Sequence, residues 1–210
     1  YQFVMAIMLI EQPPKLYRLL FPGSYWRKPV EGKKTIYLTF DDGPIPEITP
    51  WILDLLDKYD IKATFFCVGD NVRKHPDIYQ MVLDRGHQVG NHTFNHLQGI
   101  RTFSKRYIEN VRLASEYIDS DLFRPPHGHV RIPQYFSLRK KYKIIMWDVV
   151  TRDYSKLMTP EQVFENVKKY VRDGSIIVFH DSLKAEKNMK YALPRSIEWL
   201  KEQGYTFELI

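Results

Sequence analysis

Several short apolar runs in the sequence end in side chains that can bind metal ions or transfer protons. The adjacent carboxylates Asp41 and Asp42 follow the apolar run Ile36–Phe40, and His92 and His96 follow a later run. Two histidines four residues apart lie on one face of a helical turn, a spacing with which zinc hydrolases bind their metal. With Asp42 they would form a His-His-Asp set that leaves positions on the metal open for water. The pattern therefore predicts a metal-assisted hydrolytic site.

Four further residues that could take part in chemistry lie at or after the ends of later apolar runs. Arg124 ends the fourth apolar run, Trp147 and Asp153 follow the fifth, and His180 ends the sixth. A guanidinium can hold Asp41 ionised and oriented, although a structural salt bridge is the plainer interpretation of Arg124 taken alone. A single histidine at the end of a buried strand usually belongs to the core. The case for His180 therefore rests on its arrival at the same rim as the metal-binding set.

A regular alternation of strands and helices would position these residues. Seven apolar runs predict strands at Ile36–Phe40, Ala63–Val68, Gln88–Gly90, Leu122–Arg124, Ile144–Trp147, Ser175–Phe179 and Tyr205–Leu209. Helical periodicity between them predicts six helices, beginning near Thr49, Pro76, Ser104, Ile132, Thr159 and Met189. This alternation indicates parallel βα units in an α/β fold, and a closed or nearly closed barrel fits it better than an open sheet. In such a barrel the carboxyl ends of the strands share one rim, where active sites are built.

The chain reads as a single domain with a short lead-in. Residues 1–34 contain four prolines and predict an irregular segment across the outside of the barrel, so the domain that carries the site is expected at 35–210. The apolar run Phe3–Ile10 is far shorter than the roughly 20 residues of a membrane helix. It fits the stub of a signal peptide or anchor, a tag remnant or ordered apolar chain, and no complete signal peptide is visible.

The amino-acid composition excludes several classes of protein. The chain has 210 residues, 44% hydrophobic and 27% charged, which excludes disordered and collagen-like chains. Lys and Arg exceed Asp and Glu by 31 to 25, a net charge of +6 that suits a mildly anionic partner. Basic and aromatic residues do not interleave repeatedly, so no nucleic-acid partner is expected. The single cysteine, Cys67, lies in an apolar run and predicts a core residue.

Taken together, these motifs resemble the NodB-type polysaccharide deacetylases of carbohydrate esterase family 4. The resemblance covers residues 35–210, and its most specific part is the pair T-F-D-D-G-P at Thr39–Pro44 and G-N-H-T-F-N-H at Gly90–His96. It implies a distorted (β/α)7-type barrel, which agrees with the strand count. It also implies hydrolytic removal of N-acetyl groups from an N-acetylglucosamine-type polysaccharide, either peptidoglycan or a chitin-like oligosaccharide, with release of acetate.

The resemblance also implies residue roles. The metal ligands would be Asp42, His92 and His96, with zinc, or another divalent metal such as cobalt, as the ion. Asp41 would be the general base and Arg124 the residue that positions it. His180 would be the general acid, and Asp153 would tune its basicity. The residues expected at the substrate are His127, Trp147 and Pro126, with the backbone N–H of His127 donating to the oxyanion.

The sequence departs from the family pattern at three places, and these departures bear on the choice of substrate. His127 stands where the family usually has tyrosine, Val150 and Tyr154 replace an aspartate and a tryptophan, and Val178 precedes Phe179 where leucine is usual. Alternatives on the same scaffold are an O-acetyl esterase, a cyclic-amide hydrolase or an inactive glycan-binding barrel. The expected partner is an acetylated glycan, and nothing in the sequence firmly indicates a membrane or protein partner. An extracytoplasmic location would follow only from a cell-wall substrate.

Overall fold

A curled, all-parallel sheet forms the centre of the structure, a computed structural model that describes residues 11–210. Its strands are β1 (Thr35–Asp41), β2 (Thr64–Cys67), β3 (Gln88–Asn91), β4 (Leu122–Phe123), β5 (Lys143–Ile144), β6 (Val149–Val150), β7 (Ser175–His180) and β8 (Thr206–Phe207). The strand order is β5-β4-β3-β2-β1-β7-β6, and β8 pairs with the start of β1. The predicted α/β architecture, a distorted (β/α)7-type barrel, is confirmed.

Helices connect the strands and cover the outside of the sheet. They are α1 (Lys15–Leu19), α2 (Thr49–Lys58), α3 (Gly69–Lys74), α4 (Pro76–Asp84), α5 (Ser104–Ala114), α6 (Ile132–Leu138), α7 (Pro160–Tyr170) and α8 (Glu186–Glu202). A capping box begins α7 near Thr159, where a helix was expected to start: the Thr159 hydroxyl accepts a hydrogen bond from the Gln162 N–H, and the Gln162 side chain accepts one from the Thr159 N–H. The short helices α1 and α3 were not predicted, since neither is long enough to show a helical period.

Alternation along β1 explains how an entirely buried strand can deliver a carboxylate to the site. Successive side chains of a strand point to opposite faces. Ile36, Leu38 and Phe40 belong to the large core between the sheet and the helices. The intervening residues therefore face the inside of the barrel. They include Tyr37, which packs in a smaller interior cluster with Phe66, and they end with Asp41 at the carboxyl end.

The fifth predicted strand is two short strands with a crossing between them. Ile144–Trp147 was expected to be continuous, but β5 lies at one edge of the sheet and β6 at the other, so residues 145–148 bridge the gap. The Ile145 N–H donates to the carbonyl of Phe123 at 2.9 Å, and the Asp148 N–H donates to the carbonyl of Ile176 at 3.0 Å. Because the backbone hydrogen bonds switch from one edge of the sheet to the other within four residues, no regular strand can form there.

The segment before β1 takes part in closing the barrel, rather than only crossing its outside as the sequence suggested. Tyr25 forms a parallel bridge with Ile145, and Arg27 forms an antiparallel bridge with Ser175. The segment thus inserts between the two sheet edges. Arg18 of α1 anchors it further, because its guanidinium donates to the buried carboxylate of Asp148 at 2.7 Å. The boundary at residue 35 stays a prediction.

Three smaller expectations complete the comparison. Thr49, near which a helix was expected to begin, is the first residue of α2, and its hydroxyl donates to Asp181 Oδ2 at 2.6 Å. Cys67 is a buried free thiol, as predicted. The run Phe3–Ile10 lies outside the described residues. Among residues 11–210, no helix has the length and apolar character needed to cross a bilayer.

Candidate active site

A left-handed backbone conformation turns two adjacent carboxylates toward one pocket. Asp41 is the last residue of β1 and faces the barrel interior, and Asp42 follows it with φ of 84°. In a regular strand the two side chains would point to opposite faces. Positive φ is uncommon outside glycine but is tolerated best by Asp and Asn. Both carboxylates consequently line the pocket at the carboxyl end of the sheet.

A loop, not a helical turn, brings the two histidines together. His92 directly follows β3, and both Thr93 (φ 66°) and His96 (φ 54°) adopt the left-handed conformation. The Thr93 hydroxyl accepts a hydrogen bond from the Leu97 N–H at 3.0 Å, which ties the loop across the pair. The prediction that His92 and His96 converge is confirmed. Its stated basis, one turn of helix, is wrong, because the spacing is produced by two strained loop residues.

The atoms of Asp42, His92 and His96 that could bind a metal ion lie within 4.8 Å of one another and form a possible metal site. Asp42 Oδ1 lies 3.1 Å from Nε2 of His96 and 3.7 Å from Nε2 of His92. No group among residues 11–210 donates a well-aligned hydrogen bond to this buried oxygen. A buried carboxylate oxygen without a donor is costly, and a cation between the three groups would satisfy it.

The protonation states of these side chains also favour binding of a cation. The Nδ1 atom of His92 lies 2.8 Å from the carbonyl oxygen of Arg124 and can only donate there, so Nε2 keeps its lone pair. Burial lowers the pKa of His92 to about 4, which leaves the ring neutral. Burial alone would raise the pKa of Asp42, but the neighbouring imidazoles of His96 and His180 outweigh burial and hold this pKa well below its usual range. The residues present therefore fit zinc, whose preferred protein ligands are imidazole nitrogens and carboxylate oxygens.

Arg124 fixes Asp41 from inside the barrel. Its fully buried guanidinium donates to Asp41 Oδ1 at 2.6 Å and to the Thr39 hydroxyl at 2.8 Å. It also donates to the carbonyls of Ile145 and Met146 in the crossing segment, at 3.3 and 3.0 Å. The other carboxylate oxygen of Asp41, Oδ2, lies 3.9 Å from Nε2 of His92 and is left facing the pocket.

His180 and Asp153 form a second pair on the pocket wall. His180 Nδ1 lies 2.7 Å from Asp153 Oδ1, and the backbone N–H of His180 donates to Oδ2 of the same carboxylate at 2.7 Å. Burial would lower the pKa of His180, but the charge and hydrogen bond of Asp153 raise it to about 9. The ring is therefore protonated near neutral pH and can donate a proton from Nε2.

A tight turn presents a free backbone donor beside these groups. Within the short 3₁₀ turn Pro126–Gly128, His127 has φ of 57° and its ring centroid lies 4.9 Å from that of His96. The N–H groups of Gly128 and His129 donate to backbone carbonyls, whereas that of His127 donates to no group in residues 11–210. Gly128 is required by close packing, because a Cβ there would lie 2.4 Å from Trp147.

The pocket collects most of the predicted site residues. Seven of them line it: Asp41, Asp42, His92, His96, His127, Trp147 and His180. Arg124 and Asp153 are buried directly behind Asp41 and His180. Pro126, expected to touch the substrate, is buried and is not among the lining residues, so the geometry gives that expectation no support.

Several lining residues were not singled out from the sequence. Pro13 and Tyr17 come from the N-terminal segment, and the Tyr17 hydroxyl donates to the carbonyl of Gly128 at 3.1 Å. Tyr154, which the sequence marked only as a departure from the family pattern, also lines the pocket and packs edge-on against the ring of His180, with centroids 4.7 Å apart. Lys184 lines the pocket from the loop after β7. A Pro-Pro-Lys-x-Tyr-Arg segment far from every motif carries no local signal that it will reach the site.

Asp181 is a buried carboxyl that the sequence analysis also left aside. It accepts a hydrogen bond from the Thr49 hydroxyl, and its own N–H donates to the carbonyl of Asp41 at 2.7 Å. Burial raises its pKa to about 8, so it is neutral near pH 7. It joins the ends of β1 and β7 to the start of α2 and stands behind the pocket wall rather than on it.

Comparison with known proteins agrees with this geometry. The family model described as polysaccharide deacetylase matches residues 28–141. A peptidoglycan-N-acetylglucosamine deacetylase of Bacillus cereus is 32% identical over 198 residues, which cover 90% of this chain and 92% of that protein. The crystal structure of a peptidoglycan N-acetylglucosamine deacetylase bound to a naphthalenyl N-oxidanyl-benzamide superposes with a TM-score of 0.85 at 28% identity, over 94% of both chains. A CE4-family pseudoenzyme from Bacillus anthracis superposes with a TM-score of 0.76 at 29% identity, over 90% of this chain and 68% of its own.

Proposed function

We propose that this chain, which belongs to the polysaccharide deacetylase family, removes N-acetyl groups from an N-acetylglucosamine-type polysaccharide and releases acetate. The resemblance drawn from the motifs is thereby confirmed at the level of the family. The relatives named as deacetylases are hydrolases of carbon–nitrogen bonds, and we assign this chain to that enzyme class. Peptidoglycan is the favoured substrate because similar proteins over most of this chain are named for it.

One observation carries the proposal. A single pocket brings together a possible Asp-His-His metal site, a carboxylate held by a buried arginine and a histidine whose pKa is raised to about 9. Amide hydrolysis needs a polarised carbonyl, a base for the attacking water and an acid for the departing nitrogen. Each requirement has a candidate group on the pocket wall, so the arrangement is suited to this reaction.

The chemistry divides among the residues as follows. Asp42, His92 and His96 would hold zinc, which when bound supplies a Lewis acid and lowers the pKa of water toward about 7. Asp41 Oδ2 takes the proton of the attacking water, while the hydrogen bond from Arg124 to Oδ1 holds this carboxylate in position. The free N–H of His127 donates to the developing oxyanion. His180 Nε2 gives its proton to the sugar nitrogen as the carbon–nitrogen bond breaks, leaving acetate and a free amine.

The alternatives from the sequence receive less support. An inactive barrel would be expected to lack the base, the acid or a metal ligand, and all of these positions are filled here. An O-acetyl esterase would use the same pocket, but an ester leaving group has less need of the protonated His180 than an amide nitrogen does. Residues 35–210 remain our proposal for the catalytic domain, with the lead-in contributing Pro13 and Tyr17 to the pocket.

The test is acetate release from an N-acetylglucosamine tetramer and from peptidoglycan, with the metal content measured in parallel. We expect chelation to abolish turnover and added zinc or cobalt to restore it. His92→Ala should lose the metal, while His75→Ala, a half-buried histidine outside the pocket, should keep both metal and turnover. Full activity in a verified metal-free sample would refute the proposal.

A further inference from the structure

Lys184 is a cation on the wall of the pocket, and no residue in the described part of the chain pairs with it. It is the single lysine or arginine among the lining residues from the described part of the chain, and it follows His180 by four residues on the loop after β7. Its side chain is exposed and takes part in no hydrogen bond, ion pair or ring contact within residues 11–210. The positive charge of its ammonium group therefore has no partner among the residues that the structure describes.

The carboxylates at the pocket already have cationic partners or fit one. The Asp41 carboxylate is paired with the Arg124 guanidinium at 2.6 Å. The protonated ring of His180 is paired with the carboxylate of Asp153 at 2.7 Å. Asp42 belongs to the set that fits a divalent cation. Lys184 therefore adds net positive charge to a pocket that needs none for hydrolysis of a neutral acetamido group.

The position of Lys184 indicates which part of a substrate it would meet. If His180 protonates the sugar nitrogen, the sugar lies beside His180, on the side of the pocket from which the loop to Lys184 continues. Because Lys184 lines the same pocket four residues after His180, it is placed to meet groups on this sugar or on its neighbour. An ammonium there is suited to a carboxylate, with which it forms a charge-assisted hydrogen bond.

We propose that Lys184 is a specificity-determining residue that binds a carboxylate carried by the glycan, so that the enzyme prefers acidic peptidoglycan chains to neutral chitin-like ones. The inference rests on the proposed function, because it names the substrate class of the same pocket. Peptidoglycan offers carboxylates from two sources: the free lactyl group of a muramic acid unit that carries no peptide and, where a peptide is attached to that group through an amide, the carboxylates of the peptide. Chitin-like oligomers offer neither.

The experiment compares four tetrasaccharides with matched variants. The substrates are an N-acetylglucosamine tetramer, an alternating N-acetylglucosamine and N-acetylmuramic acid tetramer with free lactyl carboxylates, the same tetramer with these groups amidated, and a peptide-bearing form. The variants are Lys184→Gln, Lys184→Arg and the control Lys187→Gln, an exposed lysine that does not line the pocket. We measure kcat/KM for acetate release, and we measure dissociation constants by calorimetry with each variant placed in an Asp41→Asn background, where turnover is expected to be about 10²–10⁴-fold slower.

We expect Lys184→Gln to lower the preference for the free lactyl tetramer over its amidated form by about fivefold, the worth of a partly exposed ion pair. Lys184→Arg should retain most of the preference, Lys187→Gln should leave it unchanged, and added salt should weaken it. A loss confined to the peptide-bearing form would assign the carboxylate to the peptide.

The inference would be overturned if Lys184→Gln left both preferences unchanged, that for the free lactyl tetramer and that for the peptide-bearing form, each measured against the amidated tetramer in kcat/KM and in affinity. Failure of the proposed function has a different signature. The zinc-loaded wild-type chain would then release acetate from none of the four sugars, while calorimetry would still decide whether Lys184 binds the carboxylate.

Discussion

Replacing Asp153 by asparagine tests the proton donor directly. The Asp153 carboxylate accepts two hydrogen bonds from His180, one from the ring Nδ1 and one from the backbone N–H, both at 2.7 Å. An amide side chain offers a single acceptor oxygen for these two donors. If the oxygen keeps the backbone N–H, the amide NH2 faces Nδ1, and the ring cannot then hold protons on both nitrogens. The charge and the geometry both disfavour the protonated ring in Asp153→Asn.

The size of the effect follows from the pKa of His180. Burial lowers this pKa, and Asp153 provides the leading contributions that raise it to about 9, against an ordinary value of 6.5. Without the carboxylate we expect a pKa no higher than the ordinary value, a change worth roughly 3 kcal/mol. At pH 8 the protonated fraction would fall from about nine-tenths to about 3%, so the donor is depleted about thirtyfold. A bound divalent cation lowers both values, so the difference between the two proteins is the quantity to measure.

The assay is the pH dependence of kcat/KM for acetate release from an N-acetylglucosamine oligomer. A general acid is active below its pKa, so activity falls as the pH rises through the pKa of His180. We expect this alkaline fall to move down by about two pH units or more in Asp153→Asn. Asp84→Asn is the matched control, because Asp84 is an exposed carboxylate that accepts one hydrogen bond from Gln80. An alkaline fall that stays in place while overall activity drops would refute the assignment of His180 as the acid.

The remaining predictions concern the base, its buried partner and the turn. Asp41→Asn should retain bound metal but lose about 10²–10⁴-fold in kcat, and a loss of only a few-fold would require another base. Arg124→Met leaves the buried Asp41 charge unpaired and should destabilise the fold by about 3–5 kcal/mol in urea unfolding, whereas Arg124→Met combined with Asp41→Asn should recover part of this. Tyr17→Phe leaves the Gly128 carbonyl without its donor and should cost about 1–3 kcal/mol of stability by the same measurement. His127→Ala should keep kcat near wild type and change KM, because the oxyanion donor is the backbone N–H; a collapse of kcat with intact folding would assign a chemical role to the imidazole.

The sequence predicted the structure best where apolar residues repeat with the period of a strand or a helix. The alternation of apolar runs and helical segments placed β1, β2, β3 and β7 close to their observed bounds, because regular strands and helices depend on local patterns. The strand ends then identified Asp41, Arg124 and His180 as neighbours, since the carboxyl ends of parallel strands meet at one rim. Residues 145–148, which cross from one sheet edge to the other, do not form the predicted strand, because their backbone hydrogen bonds go to two different sheet edges. No local period encodes such a switch.

The parts that could not be predicted share a physical cause, which is that tertiary contacts override local preference. Asp42, His96 and His127 all have positive φ, a conformation that costs energy for residues with a Cβ and persists only when the surroundings impose it. Each of them lines the pocket. Tyr17 is brought to the pocket by a contact between residues far apart in the sequence. This contact is the ion pair between Arg18 and Asp148, which lie 130 residues apart. The sequence specifies the chemical groups of the site, whereas their orientation depends on strained turns and distant contacts that only the folded chain brings together.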